Sequence, residues 1–198
     1  MRQRQTDTGT ETGLRTHTHT HAHTRTHIHA HAHSHTRTHS LTLSVLLCCF
    51  SGQQGGQQVI PFRGDEHDYR HLRVTGDLGQ VQFLPYQLLD KESITRAVQH
   101  SNVVINLVGQ DTDSRHFSLE DANITGATNI AQAAQEAGVS RLIHVSALGA
   151  DKNSASRFLQ SKALGEEAVR AAFPTATIMR PSHIFGYEDR FLNRFASK

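Results

Sequence analysis

Cysteine is almost absent from this sequence: Cys48 and Cys49 are the only two, and they are adjacent. A vicinal pair is neither a disulfide framework nor a zinc-site spacing. Nothing therefore points to a secreted, cross-linked protein. Tryptophan is missing and tyrosine occurs only three times. Charge of one sign is also lacking. The formal net charge is +2 with histidine neutral, too small to argue for nucleic acid or an acidic membrane surface as partner. No apolar run is long. Leu41–Phe50 (LTLSVLLCCF) falls well short of the roughly 20 residues that cross a bilayer, so it is not a transmembrane helix. It also lies too far from Met1 to be the core of a signal peptide.

What is abundant is histidine, and it is unevenly placed. Ten of the sixteen lie between His17 and His39, in the alternation THTHTHAHTRTHIHAHAHSHTRTH. His-rich tracts ligate zinc or nickel, and alternation puts imidazoles on one side of an extended chain. No apolar partner face or outer set of hydrogen bonds fixes their geometry, however. The genetic code gives a plainer account. His-Thr is CAC-ACA, a CA repeat read in one frame, and Ala, Arg and Ile are single-base departures from it. We therefore expect residues 1–54 to be a low-complexity segment without a core, disordered, and foreign to the rest of the chain. A mitochondrial presequence fits its Arg, Ser and Thr content, with Asp7 and Glu11 the only early acids. The helical amphipathicity of such a presequence is not visible.

Residues 55–198 are organised differently. Gln58–Phe62 (QVIPF) and Val81–Leu84 (VQFL) read as short strands. Lys91–Gln99 reads as an amphipathic helix, with Asp90 at its N-cap and Ile94, Ala97 and Val98 on one face. Asn102–Val108 (NVVINLV) is almost continuously apolar, as a parallel strand covered on both faces should be. Leu119–Ala137 is an Ala-rich helix stopped by Gly138. Arg141–Ser146 is a strand, Ser156–Ala172 a helix ending before Pro174, and Ala176–Arg180 a strand ended by Pro181. Strands and helices alternating at this spacing predict an α/β fold with a doubly wound parallel sheet.

Ligands of such sheets bind beyond the carboxyl ends of the strands. Arg63, Asn106, Gly109, Ser146, Pro181, Ser182 and His183 fall at those ends, and their convergence on one rim outweighs any one of them. Taken singly they are ordinary. A Ser after a strand is usually a turn or cap residue. Lys162 inside a helix reads as a solvated surface residue, and Arg63 likewise. His144, in an apolar strand, reads as a satisfied core histidine. No carboxylate pair or metal-ligand constellation stands out, so neither a metal site nor a catalytic residue is assigned.

The ordered series NVVINLVG, DANITGATNIAQAAQEAGVSRLIHVSALGA, RFLQSKALGEEAVR and IMRPSHIFGYEDRFLN resembles the atypical extended short-chain dehydrogenase/reductase family. VIPFRGDEHDYRHLRVTGDLGQVQFL and EDRFLNRFAS narrow the resemblance to accessory subunits of mitochondrial NADH:ubiquinone oxidoreductase, respiratory complex I. It covers about Gly55 to Lys198. The resemblance implies a Rossmann-type domain for NADPH, at work as a non-catalytic subunit. Its partners would be other complex I subunits, on the matrix side of the inner membrane and peripheral to it. Arg63 would face the ribose phosphate. Asn106, Leu107, Val108 and Gly109 would lie along the cofactor, with Asn123 and Gly126 supporting the central helix. Ser146 would sit near the nicotinamide, Lys162 would bond its ribose, and Arg180 and Pro181 would open the last cofactor-facing loop. The other readings are a free NAD(P)-dependent reductase or sugar-nucleotide epimerase of the same superfamily, and a His-rich metal-binding protein.

Three departures from the family pattern carry expectations. Active members place a Tyr four residues before the Lys as proton donor, and here Phe158 stands there with no proton to give. Gln87 replaces the usual acidic adenine reader. Finally, no first βα unit with its glycine-rich phosphate turn is recognisable. Gly52, Gly55 and Gly56 are not followed by a helix. Leu41–Phe50 lies too close to Gln58 for a parallel crossover of a dozen or more residues. The expectation is an incomplete sheet, open at its centre and ending short of the substrate-side region. Each orphaned buried backbone group would cost roughly 1–3 kcal/mol, and cofactor binding would be weak.

Overall fold

In the computed structural model of the chain, the described residues are 25–29, 47–185 and 195. Six strands form one parallel sheet. In chain order they are β1 (Arg25–His29), β2 (Gln57–Phe62), β3 (Val81–Pro85), β4 (Val103–Asn106), β5 (Arg141–Val145) and β6 (Thr177–Met179). Their spatial order is β3-β2-β1-β4-β5-β6, all neighbours parallel. This is the doubly wound order, with its reversal between β1 and β4. The helices are α1 (Glu66–Tyr69), α2 (Lys91–Val98), α3 (Gly126–Glu136) and α4 (Arg157–Ala172). A 3-10 turn at Arg70–Thr75 follows α1, and a π turn at Asp121–Thr125 leads into α3. Residues 47–53 are also helical.

The α/β parallel sheet is as the sequence predicts, and the open centre is not. Arg25–His29, from within the His/Thr repeat, is the strand between β2 and β4. Thr26 pairs with both Gln58 and Val103, and Ile28 with Ile105. The expectation of a sheet lacking its first βα unit is thereby corrected. Of the segment 1–54 expected to be disordered, residues 47–53 are helical as well, and residues 1–24 and 30–46 lie outside the described residues. The physical reason is that a parallel ladder is made between backbones. A short extended run alternating with Thr and Ile satisfies it without an apolar signature. Placing the strand at Arg25–His29 also leaves residues 30–56 for the crossover, ample where the few residues after Phe50 were not.

Local chemistry explains most other boundaries. Asp90 caps α2, its carboxylate accepting from the Glu92 N–H at 3.1 Å. Gly138 takes φ of +68° just past α3, the left-handed stop that glycine permits. β4 is shorter than its apolar run, because the chain turns away after Asn106.

That strand alternates between the two layers of core. Val104 points into a cluster with Ile94, Val98, Ile130 and Leu142, beneath the helices of one face. Ile105 points into the other, with Cys48, Ile60, Tyr69 and Leu72. On this second face Tyr69 lies between Phe62 and Phe83, at ring distances of 4.1 and 4.6 Å. The helical residues 47–53 are tied to β2 where the buried Gln58 Nε2 donates to the Cys48 carbonyl at 2.7 Å. Burial pushes the Cys48 thiol up to about 12, with Cys49 adding to the effect. The thiol is therefore a packing group and not a nucleophile.

If β1 occupies the centre of the sheet, proline at position 28 removes a ladder donor and orphans a carbonyl opposite. Ile28→Pro is expected to lower unfolding free energy by about 1–3 kcal/mol or more. Proline at His17, in the same His/Thr repeat, is the control. Urea unfolding of both variants is the measurement, and equal stability would take β1 out of the sheet.

Candidate functional site

A cleft of about 560 Å³ opens where β4, β5 and β6 end. Its walls come from four places. The loop after β4 gives Leu107 and Gly109, the end of β5 gives Ser146, α4 gives Phe158 and Lys162, and the segment after β6 gives Pro181 and His183.

The loop after β4 is held by two amides. Asn106, the last residue of β4, is buried. Its Oδ1 accepts from the Val108 N–H at 2.9 Å, which turns the chain. Its Nδ2 lies 3.1 Å from His144 Nδ1 on β5. The amide nitrogen can only donate, so Nδ1 accepts and the ring proton sits on Nε2. That Nε2 is buried without a partner. Asn123, in the π turn, does more. Its Oδ1 accepts from Gln110 N–H at 3.0 Å, and its Nδ2 donates to Gln110 O and to Ser161 Oγ, both at 2.9 Å. One side chain thus joins the loop after β4, the α3 entry and α4. Such π turns are often found at functional sites. Gly165 lets α4 approach this turn: a Cβ there would stand 2.3 Å from the Asn123 carbonyl oxygen.

Lys162 is the central side chain. Only 6% of it is exposed, against the solvated residue that its place in a helix suggests. Its Nζ reaches the space left by Gly109, where a Cβ would come within 2.5 Å. The Phe158 ring centroid is 5.9 Å away. Among the described residues Nζ makes no hydrogen bond or ion pair. Glu166, one turn further along α4, would be its natural partner. Instead both carboxylate oxygens accept from Arg180, from Nε at 2.8 Å and from a terminal nitrogen at 2.7 Å. Burial pushes the Lys162 amine down to about 8, with the Glu166 charge opposing. Burial works to raise the Glu166 carboxyl, but the Arg180 hydrogen bonds outweigh it and hold the group below the usual range. The Ser146 hydroxyl adds to that lowering; its Oγ is buried and makes no hydrogen bond of standard length and angle. It is neither a turn nor a cap hydroxyl.

The predicted residues divide accordingly. Leu107, Gly109, Ser146, Lys162 and Pro181 meet in the cleft. Asn106, Val108 and Arg180 stand behind its wall as supports. Arg63 is elsewhere on the rim, with its guanidinium 4.5 Å from the Phe117 ring centroid. Burial lowers its pKa and Tyr86 works against that. Gly126 packs on Leu88, which supports α3. Gln87 is exposed beyond β3. Glu166 was not legible as a site residue: an i, i+4 Lys–Glu pair on a helix ordinarily reads as a surface ion pair. Among the described residues no group of His, Cys, Asp or Glu is arranged to hold a metal ion.

An NAD(P)H-binding family matches residues 53–190. The chain is 56% identical over 146 residues to the Mus musculus protein NADH dehydrogenase (ubiquinone) 1 alpha subcomplex subunit 9, mitochondrial, spanning 74% of this chain and 39% of that one. It is 50% identical over 145 residues to the NADH-ubiquinone oxidoreductase 40 kDa subunit, mitochondrial, of Neurospora crassa, spanning 73% and 38%. The chain thus spans about two fifths of the length of these curated relatives. Among solved structures, an NAD-dependent epimerase/dehydratase from Bacillus halodurans superposes with a TM-score of 0.63 at 19% identity, over 84% of this chain and 74% of that one. Bordetella bronchiseptica WbmG in complex with NAD gives 0.63 at 17%, over 82% and 54%. These structural likenesses establish the fold.

The buried His144 has a consequence for stability. Burial first, then the Lys162 charge, push its pKa down to about 4 from 6.5, with Glu166 opposing. The folded state then binds fewer protons than the unfolded one below pH 6.5. Stability from this group is full above 6.5 and falls as the pH drops toward 4, by about 3 kcal/mol in all. Urea midpoints between pH 7 and 4.5 should fall along this slope and fall less in His144→Gln. Identical slopes would contradict the assignment.

Proposed function

The chain belongs to an NAD(P)H-binding family, and from that premise we propose that it is the nucleotide-binding part of a complex I accessory subunit, structural in role. The observation that carries this reading is the extent of sequence shared with the mouse and Neurospora subunits. A place on the matrix side of the mitochondrial inner membrane goes with it, peripheral to the bilayer. No helix among the described residues is long and apolar enough to cross a membrane.

Phe158 supports the non-catalytic part of the reading. When bound, the nicotinamide ring supplies a hydride, and reduction of a carbonyl also needs a proton at the oxygen. Phe158 lines the cleft beside Lys162 where a phenol would serve, and its ring has no acidic hydrogen. The reductase reading is favoured only by Lys162 and Ser146, which keep free polar atoms in the cleft.

The residues present fit one end of a dinucleotide better than the other. Lys162 and Ser146 line the cleft, Ser146 Oγ is buried without a hydrogen bond, and the two groups suit a ribose and an amide. Arg63 follows β2 and suits a ribose phosphate, which favours NADPH over NADH. Between His29 and the helical residues from 47 onward, however, the sequence has no glycine. A pyrophosphate is normally cradled there by a turn whose glycines let the backbone come close. We therefore hold that NADPH binds weakly through its nicotinamide half.

Two measurements check this. Tagged chain expressed in mitochondria is expected to co-migrate with complex I on native gels; migration only as free chain would refute the assembly role. Fluorescence titration of the purified chain should give weak NADPH binding and no turnover with carbonyl substrates. Turnover by the wild-type chain would refute the structural role, and Phe158→Tyr is the control that returns the proton donor.

A further inference from the structure

The cleft holds an amine that the nucleotide-binding reading uses only as a hydrogen-bond donor to a ribose. We propose that Lys162 is a nucleophile toward small apolar aldehydes admitted by the cleft, condensing with them through Nζ to form an imine. The proposal concerns the chain with its cleft free of nucleotide, and it does not rest on how tightly a nucleotide binds.

Four observations carry it. First, Nζ opens on a cavity of about 560 Å³, large enough for a small organic molecule. Second, the amine has no hydrogen bond or ion pair among the described residues, and its natural counter-ion Glu166 is fully engaged by Arg180. Third, Leu107, Val145, Phe158 and Leu159 give the cleft an apolar side, alongside the polar Ser146, Asp111 and His183. An ammonium is poorly solvated in such a place and its neutral form is favoured. Fourth, Phe158 offers no hydroxyl to hold the amine in place.

The titratable and charged groups around Nζ are few. Glu166 lies on its own helix, His144 on β5, Arg180 after β6, and Asp111 and His183 on the cleft wall. His144 is neutral at pH 7 and Glu166 is shared with Arg180. Burial therefore prevails, and the amine titrates at about 8. A useful fraction is neutral in the physiological range, where an exposed lysine is almost wholly charged.

The step conserves electrons. The Nζ lone pair bonds the carbonyl carbon, and the carbonyl π pair moves to oxygen, which takes a proton. The carbinolamine then loses water as C=N forms. No oxidant or reductant is consumed. Apolar aldehydes are the fitting class, because a tail of a few carbons can lie along Leu107 and Phe158 while the oxygen reaches Ser146 Oγ.

Hexanal with sodium cyanoborohydride, which reduces an imine to a stable amine, is the probe, applied to the intact chain without nucleotide. Leaving nucleotide out keeps a failure of NADPH binding from affecting the result. The chain has only three other lysines, Lys91, Lys152 and Lys198. At limiting reagent and pH 7.5, peptide mass mapping should find alkylation at Lys162 exceeding that at Lys91 or Lys152 by about tenfold or more, as expected from its larger neutral fraction. Labelling of Lys162 should rise with a midpoint near pH 8, whereas exposed lysines keep rising toward about 10.4. Equal labelling of Lys162 and Lys91, or parallel pH profiles, would overturn the proposal.

Discussion

β2 and β4 are not paired with each other; each hydrogen-bonds to the five residues between them. That double ladder is the constraint on which everything else rests. It sets the reversal of strand order, and the reversal places a crevice at the carboxyl ends. It also aligns β4 so that Asn106 falls level with both His29 and His144. Asn106 can then turn the chain through Val108 and meet His144 at once. The cleft is therefore a consequence of register, reached through a strand whose sequence carries little hydrophobic information.

From that register the site follows by a short chain of polar contacts. Asn106 turns the loop, Asn123 clamps it at Gln110, and Ser161 ties the clamp to α4. Gly165 allows the approach, and Gly109 leaves room for Lys162 Nζ. These groups are buried amides and hydroxyls whose hydrogen bonds fix one geometry. The cost of leaving any one unpaired holds the arrangement in place. Two of the atoms left over, His144 Nε2 and Ser146 Oγ, belong to the end of β5, at the rim where ligands of such folds bind.

Most of the fold was legible because its strands are apolar and its helices are punctuated. VVIN, the Asp90 cap and Gly138 each left a local physical signature, and the observed bounds lie within a few residues of those read from them. β1 was not legible, because His and Thr in alternation carry no apolar face, and pattern reading finds burial before it finds hydrogen bonding. Half of the site was legible for a related reason. Strand ends can be located from sequence, so Gly109, Ser146 and Pro181 were found on one rim. Whether a helical Lys faces water or a cleft depends on which side of α4 meets the sheet. Glu166 and Lys162 are spaced as a surface pair would be, and only Arg180, after β6, reveals that they are not one.

The Glu166–Arg180 pairing has a wider meaning for the cleft. A buried carboxylate needs a partner, and Lys162 and Arg180 both act on it, with Arg170 adding a smaller effect. Arg offers a planar fork matching both carboxylate oxygens, whereas Lys offers a single point of charge. The geometry goes to Arg180, which can keep its far side in water, and Lys162 is left facing the cavity. Had Glu166 paired with Lys162, the cleft would carry a neutral pair and Arg180 would hang free at the surface. As it stands, the negative charge is neutralised outside the cleft, and the amine inside it is spared. The segment after β6 thus acts on the cleft electrostatically, by occupying the one group that would otherwise silence Lys162.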